Sequence, residues 1–331
     1  MATATLDVVG IGNAIVDVIT HADDAFLKAH GLAKGAMTLI DAARADALYA
    51  VMAPGVEISG GSAGNTMAGI ASLGGAGAYI GKVRNDQLGQ VFRHDITAAG
   101  VRFTTAPATA GPATARCLIL VTPDAQRTMN TFLGACVDLG PGDIDQELIE
   151  AAQVTYLEGY LFDPPHAKEA FRKAAKIAHA AHRRVALSLS DAFCVDRHRA
   201  EFRALLADHI DIVFANEVEL LSMFQTQDFE AAVAEIRKLC DVAAVTRSEK
   251  GSVVVSREHT HVIDAVKVPR LVDTTGAGDL YASGFLFGLT HGRDLTTCGR
   301  LGSLCAGEVI GHFGARPETP LAELAAKAKL L

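Results

Sequence analysis

Apolar residues in this chain gather into short, almost unbroken runs. Residues 6–11, 117–121, 154–157, 185–189, 210–214, 243–246 and 253–255 each read as a strand buried on both faces. Stretches with helical spacing separate several of them. Ala167, Ala170, Phe171, Ala174, Ala175 and Ala178 place small and apolar side chains on one helical face, with Lys168, Arg172, Lys173 and Lys176 beside it. From about residue 150 onward the alternation predicts βαβ units and a mainly parallel sheet. The first 140 residues are less regular. Strand-like pieces at 37–40, 102–105 and 128–132 fall between helical stretches, which predicts a small β element assembled from insertions. No repeat and no linker rich in Pro, Ser or charge divides the chain. A single α/β domain over residues 1–331, with a lid formed at about 14–60 and 101–135, is the economical organisation.

With 331 residues, 50% of them hydrophobic, the chain can bury a large core. Its longest uncharged run, 58–81, is broken by Gly, Ser, Asn and Thr and reads as a packed loop and helix, so no membrane partner is expected. The opening segment "MATATLDVVGIGN" lacks the basic start and long apolar stretch of a secretory leader, so a cytoplasmic location is expected. Six dispersed cysteines without a C-x-x-C pair predict reduced core thiols, and His259 and His261 read as exposed strand residues. A net charge of −8 argues against a nucleic-acid partner. Any phosphate must then be held locally, by backbone amides, a helix N-terminus, one or two basic residues or a bound cation.

One stretch offers such a place. "DTTGAGD", residues 273–279, lies between "RLV" and the apolar "LYASGFLFGL", a pattern that predicts a strand ending near Val272, a turn, and a helix opening at Asp279. Glycines in such a turn let successive N–H groups point one way and let a ligand come close. Asp279 reads either as a helix cap or as a base. A carboxylate beside an amide cradle can take a proton from a hydroxyl while the amides stabilise charge on a moving phosphoryl group. Two other nucleotide motifs fail: "GIG" at 10–12 is followed by Ile15 where a dinucleotide fingerprint needs glycine, and no P-loop lysine motif occurs.

Taken together, "GNAIVD" at 12–17, "GGSAGN" at 60–65, "NEVE" at 216–219, "TRSEKGSVVV" at 246–255 and "DTTGAGD" resemble, in order, the elements of the ribokinase-like (phosphofructokinase-B) carbohydrate kinases. The "GN-x-x-x-D" form is similar to that of adenosine kinases. The resemblance implies a three-layer α/β sandwich with a small β lid and an ATP-dependent, magnesium-requiring kinase. Asp279 would be its catalytic base, and the amides of Gly276, Ala277 and Gly278 its anion hole. Arg127, otherwise an exposed strand arginine, would reach the transferred phosphate from the lid.

By the same resemblance Asn13 and Asp17 grip ribose hydroxyls, and Gly61 and Asn65 contact the ribose from the other side. A carboxylate suits a vicinal diol because it accepts two hydrogen bonds. Leu39, Met129 and Leu133 would border the pocket, and Leu161 stands where adenosine kinases carry a stacking aromatic, unless Tyr160 or Phe162 takes that part. Asn216, Thr246, Gly251, Thr274 and Thr275 would line the ATP side. Glu219, which also completes a capping box with Asn216, would reach magnesium through water. Asp273 and Thr275 would hold a monovalent cation, potassium. The acceptor implied is the 5′-hydroxyl of adenosine, with ribose or another sugar or nucleoside as the alternative. A nucleoside- or sugar-binding protein without catalysis is the reading from a different class, and both monomer and homodimer stay open.

Overall fold

A computed structural model describes residues 4–124 and 126–331; Met1–Thr3, at the head of the segment read for a leader, and Ala125 lie outside it. Fourteen strands occur among the described residues. They are β1 (Leu6–Ile11), β2 (Ile15–His21), β3 (Met37–Leu39), β4 (Val56–Gly60), β5 (Gly77–Ile80), β6 (Arg102–Phe103), β7 (Ala115–Val121) and β8 (Arg127–Phe132), then β9 (Ala152–Glu158), β10 (Arg184–Ser188), β11 (Ile212–Asn216), β12 (Val242–Thr246), β13 (Ser252–Ser256) and β14 (Thr260–Ile263). Nine form one sheet in the order β14-β13-β12-β11-β10-β9-β1-β5-β6, and five form a second in the order β3-β8-β7-β2-β4.

The large sheet is parallel from β12 to β6 and antiparallel only at β13 and β14. Its strands read as continuous apolar runs because both faces are covered. Val9, Leu157, Leu187 and Val213 enter one core with Phe171, Phe202 and Leu220, while Val8, Tyr156, Ala186 and Phe214 enter another with Met67, Phe285 and Leu301. Successive strand residues point to opposite faces, so one run feeds both cores. On the helix Pro165–Ala180 the alanine and phenylalanine stripe seen in the sequence is fully buried. All six cysteines are free and buried. Among the described residues no helix is long and apolar enough to cross a membrane.

Two sequence expectations are corrected here. Arg102–Phe103 pairs with β5 at the edge of the large sheet and takes no part in the small one. No strand ends near Val272: after Pro269, which lacks a donor for a ladder, the chain runs irregularly, Leu271 is exposed, and the Val272 N–H donates to the Ile310 carbonyl at 2.9 Å.

Candidate active site

Four parallel strands spend polar residues on their carboxyl edge. Asn13 follows β1, Glu158 ends β9, Asn216 ends β11 and Thr246 ends β12, with Asn216 and Thr246 in register. Ligands of parallel α/β sheets bind along this edge.

The helix Ala277–Thr290 brings its N-terminus to the same place. It is capped by Gly276 at φ 77°, where a Cβ would come within 2.7 Å of the Ala315 methyl. Asp279 therefore sits inside the first turn and is not the cap. Its Oδ1 accepts from Ser62 Oγ at 2.6 Å and its Oδ2 from Asn65 Nδ2 at 2.9 Å. Burial raises its pKa, against those two hydrogen bonds and the Arg316 charge. The result is a fixed carboxylate with more affinity for a proton than a surface Asp. Beside it, open space lies where a side chain at Gly278 would stand, so an anion can approach the turn closely.

Facing this base is the corner between β1 and β2. The Asn13 N–H and Nδ2 donate to Glu158 Oε1 at 3.2 and 2.9 Å, and Glu158 Oε2 accepts the Ala63 N–H at 2.8 Å. A carboxylate accepts, so these contacts fix which amide atom of Asn13 is oxygen, as the Asp279 contact does for Asn65. Both oxygens, Asn13 Oδ1 and Asn65 Oδ1, are buried without a partner. Gly61, at φ 83°, opens the helix Ser62–Ser72, and a Cβ on it would stand 2.1 Å from the Asn13 carbonyl. Only glycine lets these two segments meet. Asp17 on β2 has its pKa raised to about 6, chiefly by burial and also by Asp279, with Arg127 and Arg316 opposing.

Around Asp273 and Asn216 the polar groups satisfy one another. Arg127 on β8 and Asp273 form a buried ion pair. Asp273 Oδ1 also takes the Thr275 N–H and Oγ1 at 3.0 and 2.8 Å. Asn216 and Glu219 make a complete capping box at the helix Glu217–Phe224, and burial raises Glu219 to about 7. Thr274 is exposed beside the turn, and Gly251 follows the short turn after Thr246.

The pfkB family carbohydrate kinase model matches residues 39–322. The chain belongs to that family. It is 55% identical to the adenosine kinase of Sinorhizobium meliloti, whose crystal structure superposes with a TM-score of 0.91 over 98% of this chain and 100% of that one. A probable sugar kinase protein from Rhizobium etli is 53% identical, with a TM-score of 0.93 over 99% and 100% of the two chains. The adenosine kinase of Saccharomyces cerevisiae is 28% identical over 94% of this chain and 96% of its own length. The protein is accordingly a phosphotransferase with an alcohol acceptor.

In this pfkB kinase the face of the small sheet that carries Asp17 is mixed. Asp17, Cys117, Thr131 and Leu39 are register partners across β2, β7, β8 and β3, and Ile19, Ile119, Met129 and Met37 form the next row. Register partners share a face, so Leu39 and Met129 lie on the side of Asp17, while Leu133 stands half-buried just past β8. Leu161 does not join them. The 3₁₀ turn Gly159–Phe162 carries Leu161 and Phe162 into the core, both fully buried, and leaves Tyr160 partly exposed with its hydroxyl on the Ser190 carbonyl at 3.1 Å.

Three side chains of this cluster have no expected role from the sequence. Ser62 lies inside "GGSAGN". Glu158 was visible as a lone carboxylate in the apolar "VTYLEGYLF". Arg316 gave no local signal; it donates to the Ser59 and Gly64 carbonyls and to Ser59 Oγ, and its charge reaches both Asp17 and Asp279.

Proposed function

We propose that the chain transfers the γ-phosphoryl group of ATP to the 5′-hydroxyl of adenosine, giving AMP. The observation that carries this is the pair of buried, unpartnered amide oxygens, Asn13 Oδ1 and Asn65 Oδ1, set with Asp17 opposite a fixed Asp279. Buried acceptors without donors are rare in a finished structure and mark where a ligand's donors belong. Here the fitting donors are hydroxyls: Asp17 would take two from a ribose, and the amide oxygens would take others. Likeness to adenosine kinases supports the nucleoside.

In the reaction Asp279 would accept the proton of the attacking hydroxyl as the new O–P bond forms and the bond to ADP breaks. The amides of Gly276, Ala277 and Gly278 would stabilise the charge spread over the phosphoryl oxygens, with Arg127 at the lid side. Asn216, Thr246, Gly251, Thr274 and Thr275 would line the nucleotide's path along the carboxyl edge. Magnesium would supply further charge neutralisation when bound. Glu219, whose two oxygens are engaged by Asn216, would reach it only through water, as the ion's retained hydration allows.

A sugar acceptor is the second reading, favoured by the burial of Leu161 and Phe162, which withdraws both from a stacking role and leaves Tyr160, its hydroxyl held by the Ser190 carbonyl, as the one candidate of the three. Coupled ATP consumption with adenosine, other nucleosides, ribose and fructose phosphates separates the two. Turnover confined to adenosine supports the first reading, turnover confined to a sugar supports the second, and binding without turnover of any acceptor points to a non-catalytic protein.

A further inference from the structure

The family resemblance assigns Asp273 and Thr275 to a potassium ion, and the donor set around Asp273 does not fit one. Oδ1 accepts the Thr275 N–H and Oγ1, at 3.0 and 2.8 Å, and Oδ2 accepts the Gly314 N–H at 3.1 Å and the Arg127 guanidinium. An ionised carboxylate has about four lone-pair sites. All four are taken. Potassium is held by bare oxygen atoms that replace its water, so at Asp273 it would have to displace a donor, and the single charged one is Arg127. Both side chains of that pair are almost wholly out of solvent, 7% and 6% exposed. Removing one partner of such a pair leaves an uncompensated buried charge, which proteins tolerate poorly.

We infer that Arg127 is the resident cation of Asp273, so that this kinase neither binds nor requires a potassium ion there. The guanidinium does so without being used up. Arg127 Nε is buried with no partner, and a planar fork with five donors can hold a carboxylate on one edge and offer another edge to an anion. Arg127 also joins the two sheets' territories: it stands on β8 of the small sheet and grips the turn that carries Asp279. Where the resemblance implies an ion at this turn, here the lid strand supplies the charge. The inference rests on the kinase reading for its meaning but not for its test.

The test is thermal unfolding of the full chain in potassium, sodium and choline chloride at matched ionic strength, for the wild type, Arg127→Lys and Arg127→Gln. The expected result is one Tm in all three salts for the wild type and for Arg127→Lys. In Arg127→Gln the bared carboxylate should gain a potassium-selective, saturable rise of about 2 °C once the ion exceeds its Kd roughly tenfold. A saturable potassium response in the wild type overturns the inference, because the site then takes the ion with Arg127 present. Absence of any response in a folded Arg127→Gln also overturns it, because Arg127 is then not what excludes the ion. Should Arg127→Gln fail to fold, ²⁰⁵Tl NMR of the wild type decides: no bound thallium signal supports the inference, and a signal displaced by potassium sinks it. None of these readouts needs turnover, so failure of the kinase reading would show separately in the substrate panel.

Discussion

The two halves of the site are finished to different degrees. On the proposed phosphate side Asp273 holds four donors and Asn216 and Glu219 close a capping box on each other. On the proposed acceptor side two amide oxygens have no partner, and Asp17 is pushed up to about 6 by burial. The first half is organised before any ligand arrives. The second is organised in position, through Glu158 and Gly61, but incomplete in hydrogen bonding. Groups that bind a charge-rich, shared co-substrate can be fixed once, whereas the groups that choose an acceptor keep their bonding capacity for it.

The contrast breaks most visibly at the residue between the halves. Asp279→Asn should lower turnover by about 10²- to 10⁴-fold, with an unchanged circular-dichroism spectrum, because the amide can still bond Ser62 but cannot take a proton. A smaller loss should follow from Asp17→Asn. Losing one charged acceptor costs about 1.5–3 kcal/mol, or roughly 10- to 100-fold in kcat/KM. That loss should appear mainly in KM for the acceptor and leave KM for ATP alone. An equal rise in both constants would erase the division into halves.

The effect of pH sharpens the same contrast. Asp17 is pushed up to about 6 and Asp279 above its ordinary value, and the proposed reaction needs both ionised, so kcat/KM should fall as pH drops through about 6. An acid limb near pH 4, about where unperturbed carboxylates titrate, would contradict the burial of these groups. Stability should move the other way. Glu158, raised to about 7 by burial, binds a proton more tightly folded than unfolded. Its contribution is therefore full below its ordinary value and is lost as pH rises through about 7, on the order of 3 kcal/mol across the window. Glu158→Gln should flatten that slope in urea melts between pH 4.5 and 7. It should also loosen the start of the helix Ser62–Ser72, since the amide oxygen can keep both Asn13 donors while its NH2 then faces the Ala63 N–H.

The smallest effect is expected at Glu219→Gln. Glutamine also closes a capping box, so stability should change by less than about 1 kcal/mol. A drop in kcat without a change in Tm would then assign Glu219 to the metal's water, and no drop would leave it a helix cap.

Much of this was legible in the sequence where the cause is local. The apolar runs of β1 and β9 to β13 announce strands because both faces are buried, and "DTTGAGD" and "GGSAGN" announce a glycine turn and a close approach. What sequence order hides is what these motifs touch. Ser62 and Asn65 reach Asp279 across 217 and 214 residues, Glu158 reaches Asn13 across 145, and Arg316 reaches Ser59 across 257. No periodicity encodes such pairs. Leu161 shows the converse: the family resemblance puts it at a stacking position, and a 3₁₀ turn carries it into the core. Arg102–Phe103 went astray for a similar reason, since so short a strand carries no sign of which sheet it will join.

The most direct measurement is single-turnover transfer from γ-labelled ATP to adenosine, with the wild type and Asp279→Asn compared at a pH above both titrations. Labelled AMP forming in the wild type and at least about 100-fold more slowly in the variant is the expected result. Labelled AMP forming at equal rates in the two proteins would contradict the role of Asp279, and no labelled AMP in the wild type would contradict adenosine as the acceptor.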